Sequence, residues 1–188
     1  MKGWENFYVI AGSSASGLTG LTFVVIALAS DANMVRLSGL RAFITPTVIH
    51  FGSVLWIASI LSIPGHTRLS LAISIALTGL VLTIYSIVTI YRMASIKQYT
   101  PALQDWIWNA AAPLLCCLTL LLASALLLQH SVAALYLIGL VTLSTLFIGI
   151  HNAWDLAVWI TAERPSKRQE HETQDARVTK SSDAEPPH

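Results

Sequence analysis

Five apolar stretches, near 7–29, 43–63, 69–91, 106–128 and 132–160, fill most of this 188-residue chain. Each is about as long as the roughly 20 residues a helix needs to cross a hydrocarbon core. Lipid offers no hydrogen-bonding partner to the backbone, so such segments must satisfy their own N–H and C=O groups, and for runs of this length the α-helix does so. The expectation is an all-α fold, a polytopic bundle of five transmembrane helices over residues 1–162. Composition agrees: 54% of the residues are hydrophobic and 11% charged, with a mean hydropathy of +0.63. From Glu163 to His188 the chain turns polar and mixed in charge, which predicts a disordered cytoplasmic tail.

Charge places the helices. Arg36 and Arg41 lie in the first connection, Arg92 and Lys97 in the third, and Arg164, Lys167 and Arg168 after the fifth span, all on one side. The other side offers Lys2 and Arg68. The positive-inside rule then predicts a multi-pass protein with the N-terminus outside and the C-terminus cytoplasmic. Ala27-Leu28-Ala29 before Ser30 resembles a signal-peptidase site, but the preceding apolar run is longer than a signal-peptide core of about 7–15 residues. Cleavage would also put every arginine-rich connection outside. Eleven basic against ten acidic side chains give no footprint for a nucleic-acid partner; the expected partner is the bilayer itself. Cys116 and Cys117, adjacent in an apolar run, suit neither a disulfide framework nor a metal site.

Polar residues inside spans are expensive and mark candidate sites. His151 and Asp155 lie one helical turn apart on the fifth span, next to Asn152; His50 is on the second, Tyr85 on the third and Asn109 on the fourth. At about 1.5 Å of rise per residue, His50 is on the order of 10 Å from the cytoplasmic end of its span and His151 roughly 13 Å. The two histidines therefore share a level, and the polar groups are expected to gather around a partly wet cavity in the cytoplasmic half. Pro113 is expected to bend the fourth span there, and Pro46 to occupy the first turn of the second helix. In the first span Gly12, Ser16 and Gly20 recur every fourth residue, with Ser13 and Gly17 on the adjacent ridge. Small residues let a neighbouring helix approach closely, either within the chain or on another subunit.

Three functions can use this layout. The leading one is a small channel or transporter component, oligomeric because five short spans are a narrow scaffold for a pore, with the histidines and Asp155 as relay or ion site. The second is a non-catalytic regulator or assembly factor binding another membrane protein, with the polar groups as interhelical glue. The third is a redox protein in which His50 and His151 ligate a haem b. No hydrolase elbow, zinc-peptidase motif or phosphate loop is present, so catalysis is not the expectation.

The segment Gly3-Trp-Glu-Asn-Phe-Tyr-Val-Ile-Ala-Gly-Ser-Ser-Ala-Ser-Gly-Leu-Thr-Gly-Leu-Thr-Phe-Val24 and the stretch Gly149-Ile-His-Asn-Ala-Trp-Asp155 resemble small multi-pass bacterial inner-membrane proteins, some of which carry the label of modulators of the FtsH protease. The resemblance implies a bacterial inner-membrane location and a regulatory role, and brings no catalytic residue with it.

Overall fold

A computed structural model describes residues 3–31, 37–95 and 106–182, with side chains for 3–27, 45–95 and 106–158. Five helices form: α1 (Glu5–Asp31), α2 (Leu37–Ser62), α3 (Arg68–Ser95), α4 (Ala112–Leu128), entered through a π-helical turn at Ile107–Ala111, and α5 (Ala133–Ser182). Each contains a span long and apolar enough to cross a membrane: Glu5–Ala27, Thr45–Ser62, Arg68–Ser95, Ile107–Leu128 and Ala133–Val158. The fold is thus an all-α, multi-pass membrane bundle, with no strand among the described residues.

Two helix boundaries differ from the expected ones. α2 begins at Leu37, so Pro46 lies inside the helix and not in its first turn. The backbone of α5 stays helical as far as Ser182, beyond the break expected after residue 162. The side chains of Lys2, Arg36, Arg41, Lys97, Arg164, Lys167 and Arg168, on which the orientation rests, lie outside the described residues, as does all of 183–188.

Around the bundle α1 packs on α2, α2 on α5, α5 on α4 and α4 on α3, which makes α5 the central post. α2 and α3 are consecutive in sequence but barely touch. Short Ser and Thr side chains need partners in lipid and find them on their own helices. Thr22 donates to the Leu18 carbonyl at 2.8 Å, Ser53 to Ile49 at 2.6 Å and Thr142 to Ile138 at 2.7 Å. These bonds let polar residues be buried without an interhelical partner.

The core of the half of the bundle holding the N-terminus is apolar. Ile57, Leu71, Ile75, Leu120, Leu127 and Ile138 form its plug, and Tyr8 closes it from α1. Trp4 lies over Gly139 of α5, where a Cβ would come within 2.8 Å of the indole, and makes an edge contact with Tyr136 at 5.1 Å. In the other half Phe51 seats on Gly149, bringing α2 and α5 together at the level of His50.

The small-residue ridge of α1 is divided. Gly12 is used within the chain, since a Cβ there would meet that of Ala58 at 3.0 Å. Tyr8, Ala11, Ala15 and Thr22 share the buried face, whereas Ser13, Ser16, Gly17 and Gly20 are exposed, with open space around both glycines.

The connections have legible causes. Between α2 and α3 Pro64 and Gly65 turn the chain, Gly65 adopting φ +77°, and Thr67 caps α3 by accepting from the Ser70 N–H at 3.1 Å. α4 ends in a Schellman motif: Ser131 N–H reaches the Leu126 carbonyl at 3.2 Å and His130 N–H that of Leu127 at 3.3 Å. The motif's left-handed position usually holds glycine. Here it holds His130, at φ +59°.

Candidate functional site

Helical spacing brings polar side chains from four helices to one cavity at mid-bundle. α2 contributes His50 and Ser53, α3 Tyr85 and Ser86, α4 Cys116 and Cys117 beneath Pro113, and α5 Thr145. The lining steps by three or four residues on each helix, as from His50 to Ser53, Leu82 to Tyr85 and Ser86, and Pro113 to Cys116 and Cys117, the rule by which such residues share a face. Free space is about 20 Å³, against the roughly 10–15 Å³ that one water requires. The cavity is therefore narrow, with room for a water molecule or a solute of that size.

His50 is its most telling member. The side chain is 7% exposed, and its Nε2 is buried without a hydrogen-bonding partner. A buried donor or acceptor left unpaired costs roughly 1–3 kcal/mol. Nearby, Ser86 Oγ and Cys117 Sγ lie 3.7 Å apart, a weak hydrogen bond across the α3–α4 seam.

Toward the opposite end from the plug, polar character continues along α5. Val141, Thr145 and Ile148 line the cavity, and Asn152 is the next residue on that stripe. Asn152 is 6% exposed and its Nδ2 has no partner. One turn further, Leu156 closes the stripe, 2% exposed.

His151 belongs to a different microsite. Its ring stacks on Trp108 at 4.1 Å and 14°, and its Nδ1 is 3.2 Å from Asp155 Oδ2, an ion-pair distance without the alignment of a hydrogen bond. The side chains are 23% and 47% exposed, so Asp155 sits at the margin of the bundle. Trp108 reaches the imidazole from the π-turn, a feature frequent at functional sites. Asn109, on the same turn, is half-buried and does not line the cavity.

Of the residues singled out from sequence, His50 and Tyr85 share the cavity, Asn152 extends its stripe, and His151 with Asp155 forms the neighbouring pair. The two histidines do not line a common space. A haem needs a slot between its axial ligands, and ligand pockets run to roughly 300–1,000 Å³. About 20 Å³ beside His50 and an indole lying flat on His151 do not fit that group. Among the described residues no cluster of three or more His, Cys, Asp or Glu side chains is arranged to hold a metal.

Sequence reasoning missed Ser53, Ser86, Thr145 and Trp108, and dismissed the two cysteines. The available signal was spacing: Pro113, Cys116, Cys117 and Leu120 follow an i, i+3, i+4, i+7 pattern, and Ser53 is one turn from His50.

One wall of the cavity is thin. Where α2 and α3 fail to meet, a groove of about 720 Å³ faces the lipid and shares Ile49, Ser53 and Leu82 with the cavity. The exposed Trp56 bridges the two helices across it, donating from Nε1 to Thr78 Oγ1 at 3.1 Å.

No family model, curated protein or solved structure matches the chain.

Proposed function

We propose that this membrane protein is a small transporter component and that the narrow His50 cavity is its substrate site in a contracted form. The observation that carries the reading is a buried imidazole with an unpaired nitrogen beside a water-sized space between membrane-spanning helices. Ionisable groups inside a membrane are retained along ion and solute paths, and the hydroxyls, thiols and phenol around His50 can replace the hydration of a small polar species. The layout is one-sided. An apolar plug closes one end, and Asn152 and the His151–Asp155 pair mark the route to the other. With the N-terminus outside, that polar end is cytoplasmic. The loose α2–α3 seam is the wall that moves, because opening there breaks few contacts.

Cys116 and Cys117 supply built-in reporters. In proteoliposomes that show flux, a membrane-impermeant thiol reagent is expected to label them from the polar end and to slow flux as it does so. Cysteines that stay unlabelled from both faces during turnover would reject this reading.

Oligomerisation through α1 completes the proposal, since its exposed small residues present a surface on which a second transmembrane helix can approach closely. Gly20→Ile is expected to dissociate the oligomer in mild detergent while leaving the monomer folded. Gly12→Ile, which collides with Ala58, is expected to reduce thermal stability instead. If Gly20→Ile left the oligomer intact by light scattering, this face would not be the interface.

A further inference from the structure

A second polar cavity, unrelated to the His50 site, lies at the plugged end of the bundle. It holds about 290 Å³, far more than the narrow central cavity, and is bounded by the two short connections α2–α3 and α4–α5. Its polar lining is His66, Thr67 and Arg68 from the first connection and His130 and Ser131 from the second, over a floor that includes Leu71 and Leu127. No carboxylate lines it. Arg68 forms no ion pair among the described residues, and arginine keeps its charge and its fork of donors. His66 is oriented by Ser70, whose Oγ lies 3.0 Å from Nδ1. With Ser70 donating, the ring proton sits on Nε2, which is buried and has no partner. His130 is held at the rim by the Schellman turn. The first turns of α3 and α5 begin at this cavity, and the positive ends of their helix dipoles add to its potential.

We propose that this cavity binds a phosphate-type anion, with Arg68 as its charged clamp and His66 and His130 as further donors. The volume suits a phosphate group with part of whatever it is attached to. The anion is either free in solution or the headgroup of an anionic lipid, since the cavity opens at the end of a membrane span.

The full-length protein in a zwitterionic detergent separates the two sources. Inorganic phosphate is titrated by calorimetry in one arm. In the other, protein exchanged into mixtures of phosphatidylglycerol and phosphatidylcholine is analysed by native mass spectrometry. Saturable phosphate binding, or selective retention of phosphatidylglycerol, is expected in the wild type. Either is expected to weaken about tenfold or more in Arg68→Ala, the effect of losing a charged hydrogen bond.

His130→Gly guards against a folding artefact. Glycine is the residue the turn prefers, so this variant should melt no lower than wild type while losing affinity. The proposal is overturned if neither ligand binds saturably, or if binding survives both substitutions. Flux through the His50 site is a separate readout, and its failure would leave this result standing.

Discussion

Gly149→Ala is expected to disrupt the bundle more than any other single methyl group placed on the membrane-spanning helices. A Cβ there would lie 2.6 Å from Cε1 and 2.8 Å from Cδ1 of Phe51. These are ring atoms of a side chain with no exposed surface, so the ring has no open space to swing into. Overpacking of this kind costs roughly 1–3 kcal/mol, and sometimes more. The joint between α2 and the central α5 carries that cost directly. Removing the ring opens a hole instead, and Phe51→Ala is expected to lose about 3–5 kcal/mol. Pairing Gly149→Ala with Phe51→Leu should recover part of the loss, because the smaller side chain vacates the space the methyl needs. Non-additivity of about 0.5–3 kcal/mol is the signature of residues in contact. Gly52→Ala supplies the control, as nothing lies within 4 Å of its Cβ position. Detergent-induced unfolding followed by tryptophan fluorescence reads these variants together with Phe51→Leu alone, which completes the cycle. A Gly149→Ala protein as stable as wild type would remove the proposed joint.

The same joint shows where sequence reading stops. Five spans were legible because lipid imposes one requirement on every segment that crosses it, and their limits agree with the helices to within a few residues at most boundaries. The inward face of each helix was not legible. In a water-soluble bundle polarity marks the outside, whereas here Val9, Leu77, Leu118 and Phe147 are exposed and as apolar as the core. Nothing in the string pairs Gly149 with Phe51 or lays Trp108 on His151.

Depth alone was also insufficient for the two histidines. Phe51 meeting Gly149 puts residues 50 and 148 at one level, yet His151 turns toward the π-turn while His50 turns toward the cavity. That turn adds a residue to the hydrogen-bonded ring and re-aims Trp108, and no local pattern announces it. The ridge on α1 was read from sequence as one packing surface, and within the chain only Gly12 of its residues packs on a neighbour. Its division between Gly12, used inside the chain, and Gly17 and Gly20, left outside, depends on how α1 rotates against α2.

His50→Leu is expected to abolish flux and to leave the protein at least as stable as wild type. The two halves of that result come from the same atom. Nε2 of His50 is buried without a partner, so an apolar side chain of similar bulk removes a desolvated polar group and leaves nothing newly unpaired on that side. Replacing an unsatisfied polar group in this way is neutral or stabilising, in contrast to breaking a pair. If instead His50 held helices together as hydrogen-bonded glue, its loss would cost about 0.6–2 kcal/mol, the range for interhelical bonds in membranes. Stability and activity must therefore be measured on the same preparations: thermal midpoint in detergent, and flux of protons or small ions in proteoliposomes of matched protein content. Asn152→Leu, one step along the polar stripe, should behave alike, with reduced flux and unreduced stability. A His50→Leu protein that unfolds readily would make the imidazole structural. One that is stable and fully active would take the substrate path out of the central cavity altogether.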